Sequence, residues 1–423
     1  MTETVEMLSV AGAQQIILDH VQRCGPELEP LLAAVGRVLA QDVVAGDDLP
    51  PFDNSGMDGY AVRADDVSGA SQAAPIALTV VADIAAGHPS DVVIGPGQAA
   101  RIMTGALLPK GADAVVPVEW TDQPVGGTGS SPPEVRILQP PKRGESVRLA
   151  GSDVRRGVKA LSAGAVVRPV EVALLAALGV SRVNVIRRPR VAVLATGDEL
   201  VQPGEPPGPG QIRDANSWGT AAQVSQCGGA LIQLGIARDT AADVRASLQQ
   251  GLDAQADLFL VSAGVSVGAY DLVKDVVRAE GELDFWRVRM RPGKPLAFGQ
   301  FHGVPFFGLP GNPVSALVTF EQFVRPAILK MSGRVNWRKP AIKVELADPV
   351  TSDGRETYVR VSVRWEGDRY VARLSGAQAS NVLSALVAAN ALVIIPEGQK
   401  HVEAGARVMA QMLDWPEEVF GCE

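Results

Sequence analysis

Between residues 190 and 331 the chain alternates short, mainly apolar runs with amphipathic stretches, and this succession constrains the fold more than any other feature of its 423 residues. Residues 191–195 (VAVLA) form a continuous apolar run, as expected of a strand buried on both faces. The pattern then predicts a helix over 216–226, a strand over 230–236, a helix over 240–252, a strand over 258–261, a helix over 272–279, a strand near 305–308 and a helix over 313–331. Strands alternating with helices imply right-handed βαβ units, and hence a doubly wound α/β domain on a mostly parallel sheet. Such sheets bind ligands outside the carboxyl ends of their strands, which says where to look for chemistry.

The flanks read differently. Residues 9–45 predict two helices, the first capped by Ser9 with Ile16, Ile17 and Val21 at helical spacing, the second repeating the pattern over 28–39. Over 46–145 the texture becomes short β-like runs, at 76–81, 114–118 and 135–138, broken by Gly and Pro, with a loop-like QPVGGTGSSPP stretch at 123–133. A helix is expected from Pro169 to Gly179, with Pro at its start and Gly at its end. After Lys339 strands return at 342–346, 356–364, 369–374 and 391–395, with a hairpin turn at 366–368. The expected organisation is a discontinuous N-terminal domain (1–45 and 146–187), an inserted β-rich domain (46–145), the α/β domain (188–335) and a C-terminal domain (336–423) shaped like a β-barrel or sandwich.

Composition narrows the functional classes. A net charge of −8 supplies no broad basic face, so a nucleic-acid-coating protein is not expected. Three separated cysteines, Cys24, Cys227 and Cys422, make neither a disulfide framework nor a zinc knuckle, and four histidines show no ligand spacing. The acidic N-terminus is no secretory signal, and the most apolar stretch (170–180) is too short to span a bilayer. A soluble cytoplasmic protein is expected, with no membrane partner.

Three polar clusters fall just after predicted strands. In Thr196-Gly197-Asp198-Glu199-Leu200, adjacent carboxylates suit a hard cation such as Mg²⁺ or, alternatively, an acidic cap for a following helix. The loop SAGVSVG (262–268) offers backbone N–H groups of Gly264, Ser266 and Gly268 to an anionic oxygen, and Asp271 comes next as a helix cap or a metal ligand. In GLPGNPVS (308–315), Pro310 and Pro313 fix the backbone path into the last helix, and Ser315 is expected to expose a hydroxyl there. A fourth cluster, PFDNSGMDGY (51–60), carries two carboxylates among Asn, Ser and Gly. Arg291 and Lys294 in RPGKP are two cations three residues apart, suited to an oxyanion, and Arg355, Arg360 and Ser380 add further donors. No GxSxG elbow is present.

The segments DNSGMDGYA, RIMTGALLP, TGDEL, SAGVSVGAYD, RPGKPLAFG and GLPGNPVS, in this order, resemble the molybdopterin molybdenumtransferase family, of the MoeA and gephyrin E-domain type, over nearly the whole chain. The resemblance implies four domains, an α/β domain like that of the molybdopterin adenylyltransferases, and a homodimer whose active site lies between the α/β domain of one subunit and the first two domains of the other. It implies adenylyl-molybdopterin and molybdate as substrates and AMP as a product, with a molybdopterin adenylyltransferase and molybdoenzymes as candidate partners. The matching acidic positions are Asp58, Asp153, Glu199, Asp239 and Asp271, and Thr104 is the matching hydroxyl. Arg148, Lys294, Arg360 and Ser380 match substrate-contacting positions, and Pro310, Pro313 and Ser315 match the rigid loop. Glu199 and Asp271 are the expected Mg²⁺ ligands. Arg291 stands where the family usually has Lys, Ala263 where it has Gly, and Ala269 where an acidic residue is common. The competing readings are a molybdopterin adenylyltransferase, a cofactor-holding scaffold without turnover, and a paralogue using tungstate.

Overall fold

The structure, a computed structural model, describes residues 7–123, 131–263 and 269–415. The chain forms two compact units. One is built from Glu29–Val35 and Gln41–Val183, the other from the stretch up to Leu28, Gly36–Ala40 and Asn184 onward.

The larger unit holds the expected α/β sheet. Its six strands lie in the order Ala230–Ala237, Arg190–Thr196, Leu258–Ala263, Val304–Leu309, Pro295–Phe301, Gly281–Arg287. The first four run parallel; Pro295–Phe301 is antiparallel to its neighbours on both sides, so the edge strand Gly281–Arg287 points the same way as the first four, and the alternation foretold neither of these two strands. Pro295–Phe301 runs against the rest because the chain returns from 295–301 to 304–309 through the two-residue turn His302-Gly303, both at positive φ, which leaves no room for a crossover helix. Ala192, Leu194, Phe259, Val261, Phe301 and Phe306 of the strands close against Val244, Leu248, Val276 and Val277 of the helices. Each large apolar side chain so buried contributes about 1.5–3 kcal/mol. Gly251, in the helix Ala241–Asp253, leaves space for the Phe259 ring, where any side chain would collide.

The predicted N-terminal helix is present as Val10–His20, and the Ser9 side chain accepts the Gly12 N–H at 3.1 Å. The second predicted helix is absent. Residues 26–30 form the strand Pro26–Pro30 and 31–36 turn, with Leu28 and Leu32 exposed. Pro30 explains the failure through its neighbour, since a proline biases the residue before it, Glu29, away from the α region toward extended backbone. The predicted last helix contains a π-helical turn, Phe320–Val324, between Pro313–Thr319 and Arg325–Met331.

The C-terminal strands close into a five-stranded barrel. Glu356–Glu366 pairs with both Arg369–Leu374 and Ala391–Ile395, and Ala341–Leu346 and Arg407–Met412 complete the ring. Closure removes the open edges of a small sheet. The fully buried Asn390 fastens it, donating to the Val363 carbonyl (3.0 Å) and accepting the Val363 N–H (2.7 Å).

The smaller unit centres on a five-stranded sheet in the order Ala114–Pro117, Gly59–Val62, Gln98–Ile102, Ile76–Ile84, Glu134–Ile137. Its helix Pro169–Ala177 starts and stops where the Pro/Gly pattern indicated. Among the described residues no helix is long and apolar enough to cross a membrane.

Candidate active site

The carboxyl edge of the parallel sheet carries the acidic residues. The Arg190–Thr196 strand ends at Gly197, whose φ of 145° turns the chain and leaves space for the Glu199 carboxylate to fold back over it. The next element is the short strand Leu200–Val201, not a helix, so the capping alternative for Asp198 and Glu199 falls. Asp198 and Asp239, at the ends of adjacent parallel strands, each donate a backbone N–H to the other's carboxylate, at 3.4 and 3.3 Å. Asp198 and Asp239 thus meet at one corner of the sheet, with Glu199 next to Asp198 in the chain. Asp271 sits in the first turn of the helix Ala269–Glu280, its side chain lying outside the described part of the structure. Gly264, Ser266 and Gly268 lie outside the described residues.

Among the described residues no group of three or more His, Cys, Asp or Glu is arranged to hold a metal. The donors at this corner are nevertheless all carboxylate oxygens, the kind a hard cation takes. Mg²⁺ commonly binds through one or two carboxylates with water and substrate phosphates completing the shell. The donor chemistry fits Mg²⁺ in that form and does not fit a closed protein cage.

The loop after Val304–Leu309 is pinned from two sides. Asn216 Nδ2 donates to the Gly311 carbonyl at 2.7 Å, and the Val314 N–H donates to the Ser380 carbonyl at 3.2 Å. Pro310 is buried and Pro313 opens the helix. Ser315 corrects the expectation of an exposed hydroxyl. It is 4% exposed, because this position of the helix faces inward between the buried Val314 and Ala316. Ser380 meets the loop through its backbone and not its hydroxyl.

Cations gather at a separate cavity of about 170 Å³, lined by Arg291, Arg360, Thr351, Thr357 and Gln378 among others, with no carboxylate in its wall. Arg291 reaches it because Met290–Arg291 pairs with the barrel strand that carries Arg360, Arg291 standing opposite Thr357. Arg360 is 1% exposed. One of its nitrogens donates to the Ala377 and Ala379 carbonyls at 3.0 and 3.2 Å, while its Nε has no partner among the described residues. Burial, and then the like charge of Arg291, lowers the Arg360 pKa. A buried donor without a partner beside a second cation favours an anion. Lys294 is exposed and does not line this cavity. Arg355 is not a spare donor, being paired with Asp353 at 2.5 Å and bonded to the Met290 carbonyl at 2.9 Å. The bonds from Arg355 hold Asp353 down to a pKa of about 2.

In the smaller unit Asp58 and Thr104 come together. One Asp58 oxygen accepts both the N–H and the hydroxyl of Thr104, each at 2.7 Å, and these bonds hold its carboxyl below the usual range. Arg148 is exposed and donates to the Gly56 carbonyl at 3.4 Å. Asp153 lies exposed on a nearby turn, its N–H bonded to the Leu49 carbonyl, and no bond joins it to Arg148 among the described residues. Sequence reasoning missed Asn216 and Gln378. Gln378 clamps Arg360 by accepting its N–H and donating to its carbonyl, at 2.9 and 3.0 Å, from 18 residues away with no local signal.

Three family profiles tile the chain: the MoeA N-terminal region (domains I and II) over 8–179, a probable molybdopterin-binding domain over 192–330, and the MoeA C-terminal region (domain IV) over 343–413. Molybdopterin molybdenumtransferase 2 of Mycobacterium tuberculosis is 41% identical over 409 residues, which cover 95% of this chain and 98% of that one. The molybdopterin molybdenumtransferase of a Nostoc species is 41% identical over 96% of this chain and 94% of its own. The crystal structure of a molybdopterin biosynthesis MoeA protein from Pyrococcus horikoshii superposes with a TM-score of 0.81 at 32% identity, covering 97% of this chain and all of that one. With carboxylates at the sheet edge, a cation cavity at the barrel and this likeness along its length, the chain belongs to the molybdopterin molybdenumtransferase family.

Proposed function

We propose that the chain inserts molybdenum into molybdopterin, taking adenylyl-molybdopterin and molybdate as substrates and releasing AMP as the molybdenum cofactor forms. The observation that carries this reading is the cavity shared by Arg291 and the buried Arg360, whose Nε lacks a partner among the described residues. A small tetrahedral dianion supplies what that guanidinium lacks and offsets the repulsion between the two arginines. Lys294, three residues from Arg291, adds charge on the approach.

The reaction needs no protein nucleophile. In this reading Arg291 and Arg360 strip water from the oxyanion and hold it, with Ser380 nearby in the same domain. Pro310, Pro313 and Ser315 shape the loop against which the pterin lies, while Gly264, Ser266 and Gly268 offer backbone N–H groups to its phosphate. Glu199 and Asp271 would hold Mg²⁺, which when bound offsets the pyrophosphate charge. Asp239 keeps the corner beside Glu199 negative and ordered. Asp58, fixed as an anion by Thr104, and Arg148 and Asp153 complete the proposed set from the smaller unit.

The active assembly in this proposal is a homodimer in the cytoplasm, built from the four domains bounded at 45, 145, 187 and 335, with a molybdopterin adenylyltransferase and molybdoenzymes as neighbours in the pathway. Cys24 and Cys227 are free, and burial pushes their thiols up to about 11 and about 12, which suits reduced structural cysteines. The test is molybdate-dependent release of AMP from adenylyl-molybdopterin. Wild type is expected to release AMP and Glu199→Ala to retain its fold but lose the reaction. Full activity in that variant overturns the assignment of Glu199, and ATP consumption with unadenylylated molybdopterin would favour an adenylyltransferase instead.

A further inference from the structure

Residues 212–217 touch two of the pieces of the proposed site that the sheet supplies, and the transfer reaction as proposed gives them no role. Their first part pairs with the acidic turn: Ile212–Arg213 runs parallel to Leu200–Val201, the Ile212 N–H donates to the Glu199 carbonyl at 2.8 Å, and the Asp214 N–H donates to the Val201 carbonyl at 2.9 Å. The middle is rigid, because the buried Asp214 caps the next helix by accepting the N–H of Ser217 at 3.0 Å and its hydroxyl. The last part meets the proline-bounded loop, where Asn216, the first residue of the helix Asn216–Gln226, donates through Nδ2 to the Gly311 carbonyl, 95 residues away, at 2.7 Å.

We propose that this segment is a strut between the Glu199 turn and the Gly308–Ser315 loop, and that Asn216 is a positioning residue for the transfer reaction. A trans peptide places its carbonyl and its N–H on opposite sides. By holding the Gly311 carbonyl toward the helix, Asn216 aims the N–H of Asn312 the other way and fixes the path of the chain between Pro310 and Pro313. The backbone of the Glu199 turn and the loop then keep a constant separation through one short run of covalent and hydrogen bonds. The inference rests on the molybdenum-insertion reading and deepens it, since Asn216 touches neither substrate.

Asn216→Asp separates this role from simple stability. An acidic residue in the first turn suits the helix and offsets part of the lost bond, so the variant is expected to fold with at most a modest fall in Tm. The loop meets the opposite effect, because the amide donor is replaced by a carboxylate facing a carbonyl. We expect a roughly tenfold or greater fall in kcat for AMP release at neutral pH, with KM for molybdate unchanged. A carboxyl in that setting titrates above its ordinary value of about 3.9, and its protonated form donates again. The ratio of variant to wild-type kcat should therefore rise as pH is lowered, while Asn216→Ala stays low at every pH. Wild-type kcat in Asn216→Asp, or a loss that follows a lowered Tm and does not recover with acid, overturns the role of Asn216. If wild-type protein released no AMP with molybdate, the functional reading itself would fall, and this role with it.

Discussion

Asp58 and Arg360 are both charged residues of the proposed machinery, yet the structure treats them in opposite ways. Asp58 is exposed but well supplied with donors, two bonds from Thr104 reaching one of its oxygens and stabilising its charged form. Arg360 is buried and under-supplied, with an Nε lacking a partner among the described residues and Arg291 near enough to make its charge less favourable. A group already paired serves as a fixed landmark, since a ligand gains little by displacing its bonds. A buried group still short of a bond serves as a receptor, because its desolvation has been met by folding and the missing contact awaits the ligand.

The sharpest way to break this contrast is Arg360→Met, which keeps the bulk and removes the donor. Molybdate affinity should fall by about 30-fold or more, as when a buried charge loses its partner. The Ala377 and Ala379 carbonyls lose a donor as well, so stability should drop by about 1–3 kcal/mol. Equilibrium titration with molybdate, and denaturant unfolding, read the two effects separately, and unchanged affinity would remove the receptor role.

Thr104→Val tests the landmark. Asp58 keeps the backbone donor and loses the hydroxyl, so a fall of about three- to tenfold in kcat is expected. The sign of the pH effect is set by the depressed pKa. The stabilisation from ionised Asp58 is present above the unfolded-state value of about 3.9 and is lost as pH falls through the lower folded value. In Thr104→Val the folded value rises, so part of that stabilisation disappears, and the smaller acid loss still begins near the unfolded value but is complete at a higher pH. Thermal melts across pH 3–6 check this, and Thr104→Ser should stay within about 0.5 kcal/mol of wild type. The smallest effect is expected from Arg291→Lys, which keeps the charge and changes only donor geometry. Molybdate affinity should shift by less than about threefold. A larger loss would mean that Arg291 binds through its fork and not merely through its charge.

How much of this was legible depended on distance along the chain. The Ser9 cap, the VAVLA strand and the Pro169 helix start are local signals, and they appear where the residues indicated. The 28–39 helix failed where apolar spacing outvoted Pro30. The strands 281–287 and 295–301 carry no clear alternation, and the reversed direction of 295–301 depends on the turn at His302-Gly303. Motif order showed which residues to watch, but not that Asp58 meets Thr104 across 46 residues or that Asn216 meets Gly311 across 95. Nor did it show that Ser315 faces inward or that Arg355 is already engaged. These pairings are decided by tertiary packing, which a single sequence does not encode locally.

The pairing of Met290–Arg291 with the barrel strand Glu356–Glu366 has one more consequence. The barrel is no detachable appendage at that seam, because its strand is the template on which Arg291 is laid. A chain cut short before Ala341 would lose Arg360 outright and would also leave Arg291 with no partner strand to hold it in register. Supplying the missing barrel as a separate polypeptide would have to rebuild that ladder before the cavity between Arg291 and Arg360 could form.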